Sequence, residues 1–335
     1  MRVSDDGRGF VLDEAYWGLK NMRDRAAQIR AQWKITTAEG HGTEIEVCIP
    51  RLWRHSRKFS CSRTRNSSVS TLESSRCTRV LILLLISMPA AAATNWKLVW
   101  SDEFNGAAHM PPDRSRWTYD LGDGGWGNRE LEIYTGKPEN VSQDGEGHLL
   151  IRAIKSRSGK YTSARIKTET KFTVQYGKIA ARMKIPYGQG LWPAFWMLGA
   201  DCDSTGWPAC GEIDVMENIG KERSIVHGTI HGPGYSGSKG ITHEYLLPAG
   251  ARLSDDFHIY AVEWSPAAIT FLLDDKSYFT VEPADLPTGA RWVYNHPFFL
   301  LLNLAVGGYW PGNPDSTTQF PQILLVDWVR VWKPE

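Results

Sequence analysis

The chain has 335 residues, a formal net charge of +1, 42% hydrophobic and 22% charged residues. That length admits two or three domains, and the balanced charge gives no electrostatic argument for a nucleic-acid or membrane-surface partner. Of five cysteines only Cys202 and Cys210 lie beyond residue 95, and no zinc-type spacing of Cys and His appears.

Residues 1–50 differ in character from the rest. Asp5-Asp6-Gly7-Arg8-Gly9-Phe10 is followed by Gly18 to Ala27 and by Gly40-His41-Gly42-Thr43-Glu44-Ile45-Glu46-Val47. This series resembles the C-terminal part of a sensor histidine kinase ATPase domain. The resemblance implies an adenine contact for Asp5. The helix that supplies the metal-binding Asn in that family should precede this box, and it is not in the sequence. Residues 1–50 are therefore expected to be a fragment without kinase or ATPase activity.

Residues 51–79 have no apolar periodicity. Eight basic residues from Arg51 to Arg79 face only Glu73 amid many serines. Such a stretch cannot bury enough apolar surface to order itself, so it is expected to be a basic disordered linker. Residues 80–93 start with the apolar run Val80 to Met88, too short to span a bilayer as a helix. Arg76 and Arg79 precede it and Pro89-Ala90-Ala91-Ala92-Ala93 follows. That order is the order of a secretory signal. Its place about eighty residues in implies a start near Val69 or Leu72, or a joining of two genes. The alternative is a buried strand of the next domain. The expected location is secreted or periplasmic, without stable membrane association.

From residue 95 the pattern is all-β. Gly177 to Ile185 alternates, with Ile179, Ala181, Met183 and Ile185 on one face and Lys178, Ala180, Arg182 and Lys184 on the other. Phe257 to Trp264, Ile269 to Leu273, Phe298 to Val306 and Leu325 to Trp332 read as further strands. Ser265-Pro266 and Gly307-Gly308 punctuate them. Many short strands with little helical period predict a two-sheet sandwich. Twelve of the fifteen Trp lie in this region; some are expected in the core, and the rest suit a groove that stacks on sugar rings.

The most informative stretch is Glu212-Ile213-Asp214-Val215-Met216-Glu217. Alternation puts Glu212 and Asp214 on one face of a strand. Glu217, five positions from Glu212, would face the other way unless a β-bulge absorbs one residue. With such a bulge, three carboxylates line one floor. The alternative is an exposed acidic strand edge. Five residues of flat strand cover about 16 Å, whereas a retaining glycosidase holds its two carboxyls about 5–5.5 Å apart. Curvature, the bulge and the side chains must close that difference.

Ser101-Asp102-Glu103-Phe104, Gly125 to Glu132, Gly190 to Trp196, the acid triplet, Gly228 to Gly234 and Phe299 to Pro314 occur in that order. Together they resemble glycoside hydrolase family 16, in its laminarinase-like branch, over residues 95–335. The six-residue triplet with Met216 is the longer of the two forms in that family. The resemblance implies a β-jelly roll with a concave glycan-binding cleft, and a secreted endo-β-1,3-glucanase acting with retention. It implies Glu212 as nucleophile, Asp214 as its orienting partner, Glu217 as acid/base, and His231 assisting near Glu217. Glu217 must hold its proton near neutral pH, and Glu212 should have the more polar surroundings.

Trp126, Trp192, Trp196 and Trp310 are the candidate sugar-stacking residues, with one or two of them expected in the core. Asn128 and Glu130 sit in a Gly-flanked loop that can meet sugar hydroxyls or can be only a tight turn. The resemblance further implies a structural calcium on Glu103, the backbone of Gly147 and Asp327, with no cofactor for catalysis. Cys202 and Cys210 form either a disulfide or two buried thiols. The expected partner of a monomeric enzyme is a β-glucan polysaccharide. Alternatives are hydrolysis of mixed-linkage glucan or a galactan on the same fold, and a non-catalytic β-glucan-binding protein.

Overall fold

The computed structural model describes residues 95–335 and, before them, the backbone of three strands. The chain divides into two units, Met1–Leu85 and Ile86–Glu335. In the first, β1 (Arg2–Asp5), β2 (Gln32–Thr37) and β3 (Thr43–Cys48) form an antiparallel sheet in the order β1-β3-β2. The segment Gly18 to Ala27, the basic linker 51–79 and the signal-like residues 80–93 lie outside the described residues.

The second unit starts with β4 (Trp96–Asp102), β5 (Thr118–Asp120), β6 (Glu132–Tyr134), β7 (Val141–Gln143) and β8 (Leu149–Lys155). Next come β9 (Tyr161–Ser163), β10 (Arg165–Lys167), β11 (Gly177–Lys184) and β12 (Leu191–Gly199). A one-turn helix, Cys202–Thr205, precedes β13 (Glu212–Glu217), β14 (Ile225–His231) and β15 (Ile241–Leu246). The chain closes with β16 (His258–Trp264), β17 (Ile269–Leu273), β18 (Lys276–Val281), β19 (Phe298–Val306) and β20 (Gln322–Pro334).

Two sheets result, and their facing surfaces make the core. One runs β15-β14-β13-β12-β19-β10-β5. The other runs β18-β17-β16-β11-β20-β8-β9-β6, with β4 added on β20 and β7 on β8. Ile179, Ala181 and Met183 of β11 are fully buried, as their alternation predicts. They meet Phe195 and Met197 of β12, Ile213 and Val215 of β13, and Leu300, Leu302 and Leu304 of β19 in one apolar cluster. Ala180, on the opposite face of β11, is also buried. It packs with Ala261, Leu272 and Trp328 in a small outer cluster.

β19 is buried along its whole length because it lies mid-sheet, between β12 and β10. A strand with neighbours on both edges and cover on both faces can be continuously apolar. Asn303 is its one polar side chain. The strand ends at Gly307 (φ +74°), where an added Cβ would lie 2.6 Å from Leu131 Cγ. Only glycine suits that backbone and that approach. This contact brings the loop before β6 against the end of the central strand.

Candidate active site

The cleft sheet carries a cavity of about 1030 Å³ on the face away from the core. β13 supplies its acids. Glu212 pairs with Leu198 and Ile213 with Met197 of β12, but Met216 pairs with Phe195 and Glu217 with Ala194. Residues 214 and 215 thus oppose Trp196 alone. On the other edge, Asp214 pairs with Thr229 and Glu217 with His227, so the same irregularity appears there. This is the expected bulge. It restores Glu217 to the face of Glu212 and Asp214, and all three line the cavity. Val215 and Met216 turn into the core instead.

Each outer acid accepts an indole N–H. Trp192 Nε1 donates to Glu217 Oε1 at 3.0 Å, and Trp207 Nε1 donates to Glu212 Oε2 at 2.9 Å. Asp214 is buried and hydrogen-bonded to Glu212. His231, opposite Glu212 in register, places Nε2 3.2 Å from Asp214 Oδ2 and 3.7 Å from Glu212 Oε1. His231 attends Glu212 and Asp214 most directly and its charge also reaches Glu217, whereas the residue opposite Glu217 in register is His227. Alternation explains this, because the bulge shifts Glu217 along β14 by one pair. Gly240, before β15, packs on the His231 ring, and a Cβ there would be 2.4 Å from Cε1.

Burial dominates the acids' titration. It pushes Glu212 up to about 8, with the Asp214 charge adding to the rise, while His231, the Trp207 bond and Arg165 act downward. Burial likewise raises Asp214. Glu217 is pushed well above the usual carboxyl range by burial and then by the Asp214 charge, with Glu212 adding a further rise. Glu217 is therefore set to hold a proton. Glu212 has more groups favouring its anion than Glu217 has, as expected, but burial still outweighs them.

All four candidate tryptophans line the cavity, so the expectation that one or two belong to the core is corrected. Trp192 and Trp196 share a face of β12, whose core side is filled by Leu191, Phe195 and Met197. Trp310 meets Trp192 edge-on at 5.4 Å between ring centres. Trp196 Nε1 donates to Asn303 Oδ1 at 2.8 Å. Asn128 and Glu130 also line the cavity. Their loop is held by Asn128 and Glu130 N–H bonds to Gly125 O and by the Leu131 N–H to Val306 O.

Three further cleft residues were not assigned from sequence. Trp207 sits in the loop beyond the Cys202–Cys210 disulfide's first half-cystine, and that disulfide is formed. Arg165 lies against the rings of Trp196 (4.5 Å) and Trp126 (5.1 Å) and pairs with Asp120 at 2.8 Å. His227 meets the Trp310 ring at 4.9 Å. Trp207 was visible beside the triplet, but only strand register reveals the other two.

The suggested calcium ligands do not fit a divalent ion. Arg330 donates to both carboxylate oxygens of Glu103, at 3.0 and 2.7 Å. Arg182 Nη1 donates to Asp327 Oδ2 at 2.5 Å. The two acids are thus neutralised by separate guanidinium groups. Calcium needs six to eight oxygens, unengaged by other cations. Among the described residues, Glu212, Asp214 and His231 are the one group of three or more such side chains close enough to share a metal, and they belong to the cleft.

The profile of Glycosyl hydrolases family 16 matches residues 128–330. The chain is 39% identical over 251 residues to a β-glucanase of Rhodothermus marinus, covering 72% of this chain and 86% of that one. It is 35% identical to a glucan endo-1,3-β-glucosidase of Cryptopygus antarcticus, covering 74% and 96%. The crystal structure of the laminarinase catalytic domain from Thermotoga maritima superposes with a TM-score of 0.67 at 47% identity. That match covers 72% of this chain and 99% of the other.

Proposed function

The chain belongs to family 16 of the glycosyl hydrolases, and from that premise we propose that it is an endo-1,3-β-glucanase of the laminarinase kind, acting with retention. The bulge at Asp214–Val215 carries the mechanistic part of this reading, because it puts Glu212 and Glu217 on one floor. Glu217 donates its proton to the glycosidic oxygen as that bond breaks. With the shared proton on Asp214, the ionised Glu212 attacks the anomeric carbon from the opposite side and forms a glycosyl ester. Glu217, now ionised, takes a proton from water, which attacks the same carbon and releases Glu212. Asp214 hydrogen-bonds Glu212 and holds it for attack. Trp207 adds a second donor to the same carboxylate.

No cofactor enters this chemistry, since two carboxyls supply both the nucleophile and the proton. The aromatic walls from Trp126, Trp192, Trp196 and Trp310 suit the apolar faces of glucose rings. Retention of all three acids favours an enzyme over a non-catalytic glucan-binding protein. The Cys202–Cys210 disulfide supports an exported protein, as does the signal-like order of residues 80–93. The protein acts alone on its polysaccharide in this reading. Reducing-end release from laminarin, lichenan, agarose and carrageenan tests the substrate class. Laminarin should be cut fastest; preference for a galactan would overturn the assignment.

A further inference from the structure

A second carboxyl pair, Glu130 and Glu132, lies where the cleft loop joins the central strand. Glu132 is 1% exposed. Its Oε2 accepts the Val306 N–H at 2.6 Å, while Val306 O accepts the Leu131 N–H at 2.7 Å. The side chain therefore stitches the loop to the end of β19. Glu132 Oε1 is buried and takes no hydrogen from any N–H or O–H donor. The Glu130 carboxyl lies within hydrogen-bonding reach of the same side chain.

Both oxygens of Glu130 are already acceptors. Asn128 Nδ2 donates to Oε1 and the Tyr134 hydroxyl donates to Oε2, each at 3.1 Å. Tyr134 in turn accepts from Asn303 Nδ2, and Asn303 accepts from Trp196 on the cleft floor. A carboxylate is an acceptor only, so two of them cannot meet in a buried place without a proton between. Glu132 Oε1 is the one oxygen of the four with no other donor. The proton belongs there.

We propose that Glu132 is a positioning residue which keeps its proton and through it donates a hydrogen bond to Glu130, locking the Trp126–Glu130 loop over the glycan cleft. The lock acts on a strained loop: Trp126 (φ +47°) and Arg129 (φ +58°) both occupy the left-handed region. Such residues persist only when their surroundings hold them. The charged and titratable groups around the pair are few. Tyr134 comes from β6, and Arg165 of β10 comes with its partner Asp120 of β5. Burial, then the Glu130 charge, pushes Glu132 up to about 9, so the lock holds at neutral pH and opens in alkali.

This inference rests on a glycan occupying the cleft, and its test has one arm that needs no substrate. Glu132→Gln retains an acceptor for Val306 and places an N–H₂ donor toward Glu130. Glu132→Leu supplies neither. At pH 7 the Gln variant should match the wild type. The Leu variant should show KM for laminarin raised about tenfold with kcat little changed, through lost hydrogen bonds that hold the loop. As pH rises past 9, wild-type KM should climb relative to that of Glu132→Gln, which has no proton to lose. Infrared difference spectra of the free proteins at pH 7 should show one protonated carboxyl fewer in Glu132→Gln. An unchanged count of protonated carboxyls would overturn the inference whatever the substrate is. So would a KM ratio that stays flat with pH, or a Gln variant as impaired as the Leu variant. Should Glu132→Leu fail to fold, the Gln variant and the infrared count decide alone.

Discussion

Replacing Glu212 with Gln should stabilise the fold in alkali and leave it unchanged in acid. Burial holds Glu212 near 8 rather than its usual 4.5. A raised carboxyl contributes its full share of stability below the unfolded value and loses it as pH rises through the folded value. A rise of that size corresponds to at most about 5 kcal/mol at pH 9. Proton sharing with Asp214 and solvent at the cleft mouth reduce it, leaving about 2 kcal/mol as a working magnitude. The amide introduced by Glu212→Gln would still accept the Trp207 N–H and would offer its own N–H to Asp214, so the swap creates no unpaired buried group. For a domain of this size, about 2 kcal/mol moves Tm by roughly 4–8 °C. Thermal unfolding followed by tryptophan fluorescence from pH 4 to pH 9 measures it. The Tm difference should be near zero at pH 4 and grow through pH 8. A difference independent of pH, or a less stable variant at pH 9, would refute the burial argument.

Trp192→Phe keeps an aromatic ring but removes the donor to Glu217 Oε1, which steadies the carboxylate that Glu217 becomes as it gives up its proton, so kcat should fall about tenfold or more. Gly240→Ala would drive a methyl into the His231 ring; steady-state assay should show a lower kcat, with the overall fold intact by circular dichroism. Chelation should leave Tm unchanged, because Glu103 and Asp327 already pair with Arg330 and Arg182.

The sheet sandwich and the acid floor were legible for a common reason: both rest on local spacing. Alternation in Gly177–Ile185 marks a core-facing strand, and the six-residue interval from Glu212 to Glu217 requires a bulge if the acids are to meet. Ile269–Leu273 and Phe298–Val306 carry their bounds in composition and in the turn residues that follow. Register was not legible. It sets His231 opposite Glu212 and His227 opposite Glu217, and it brings Arg165 from β10 to the wall formed by Trp196. Nor could sequence show that Arg330 reaches across to donate to Glu103, just after β4. Those partners are 227 residues apart. The Glu130–Glu132 pair had a visible motif, yet its meaning depends on Val306 and Tyr134 closing around it.

The central claim is that Glu212 and Glu217 act from opposite sides of one glycosidic bond, through an ester on Glu212. Proton NMR of laminarin hydrolysis, recorded before mutarotation, reads that claim directly. The first product should carry a β-anomeric reducing end, and Glu212→Ala should yield no product of either form. An α-anomer appearing first would mean that water, not Glu212, makes the attack.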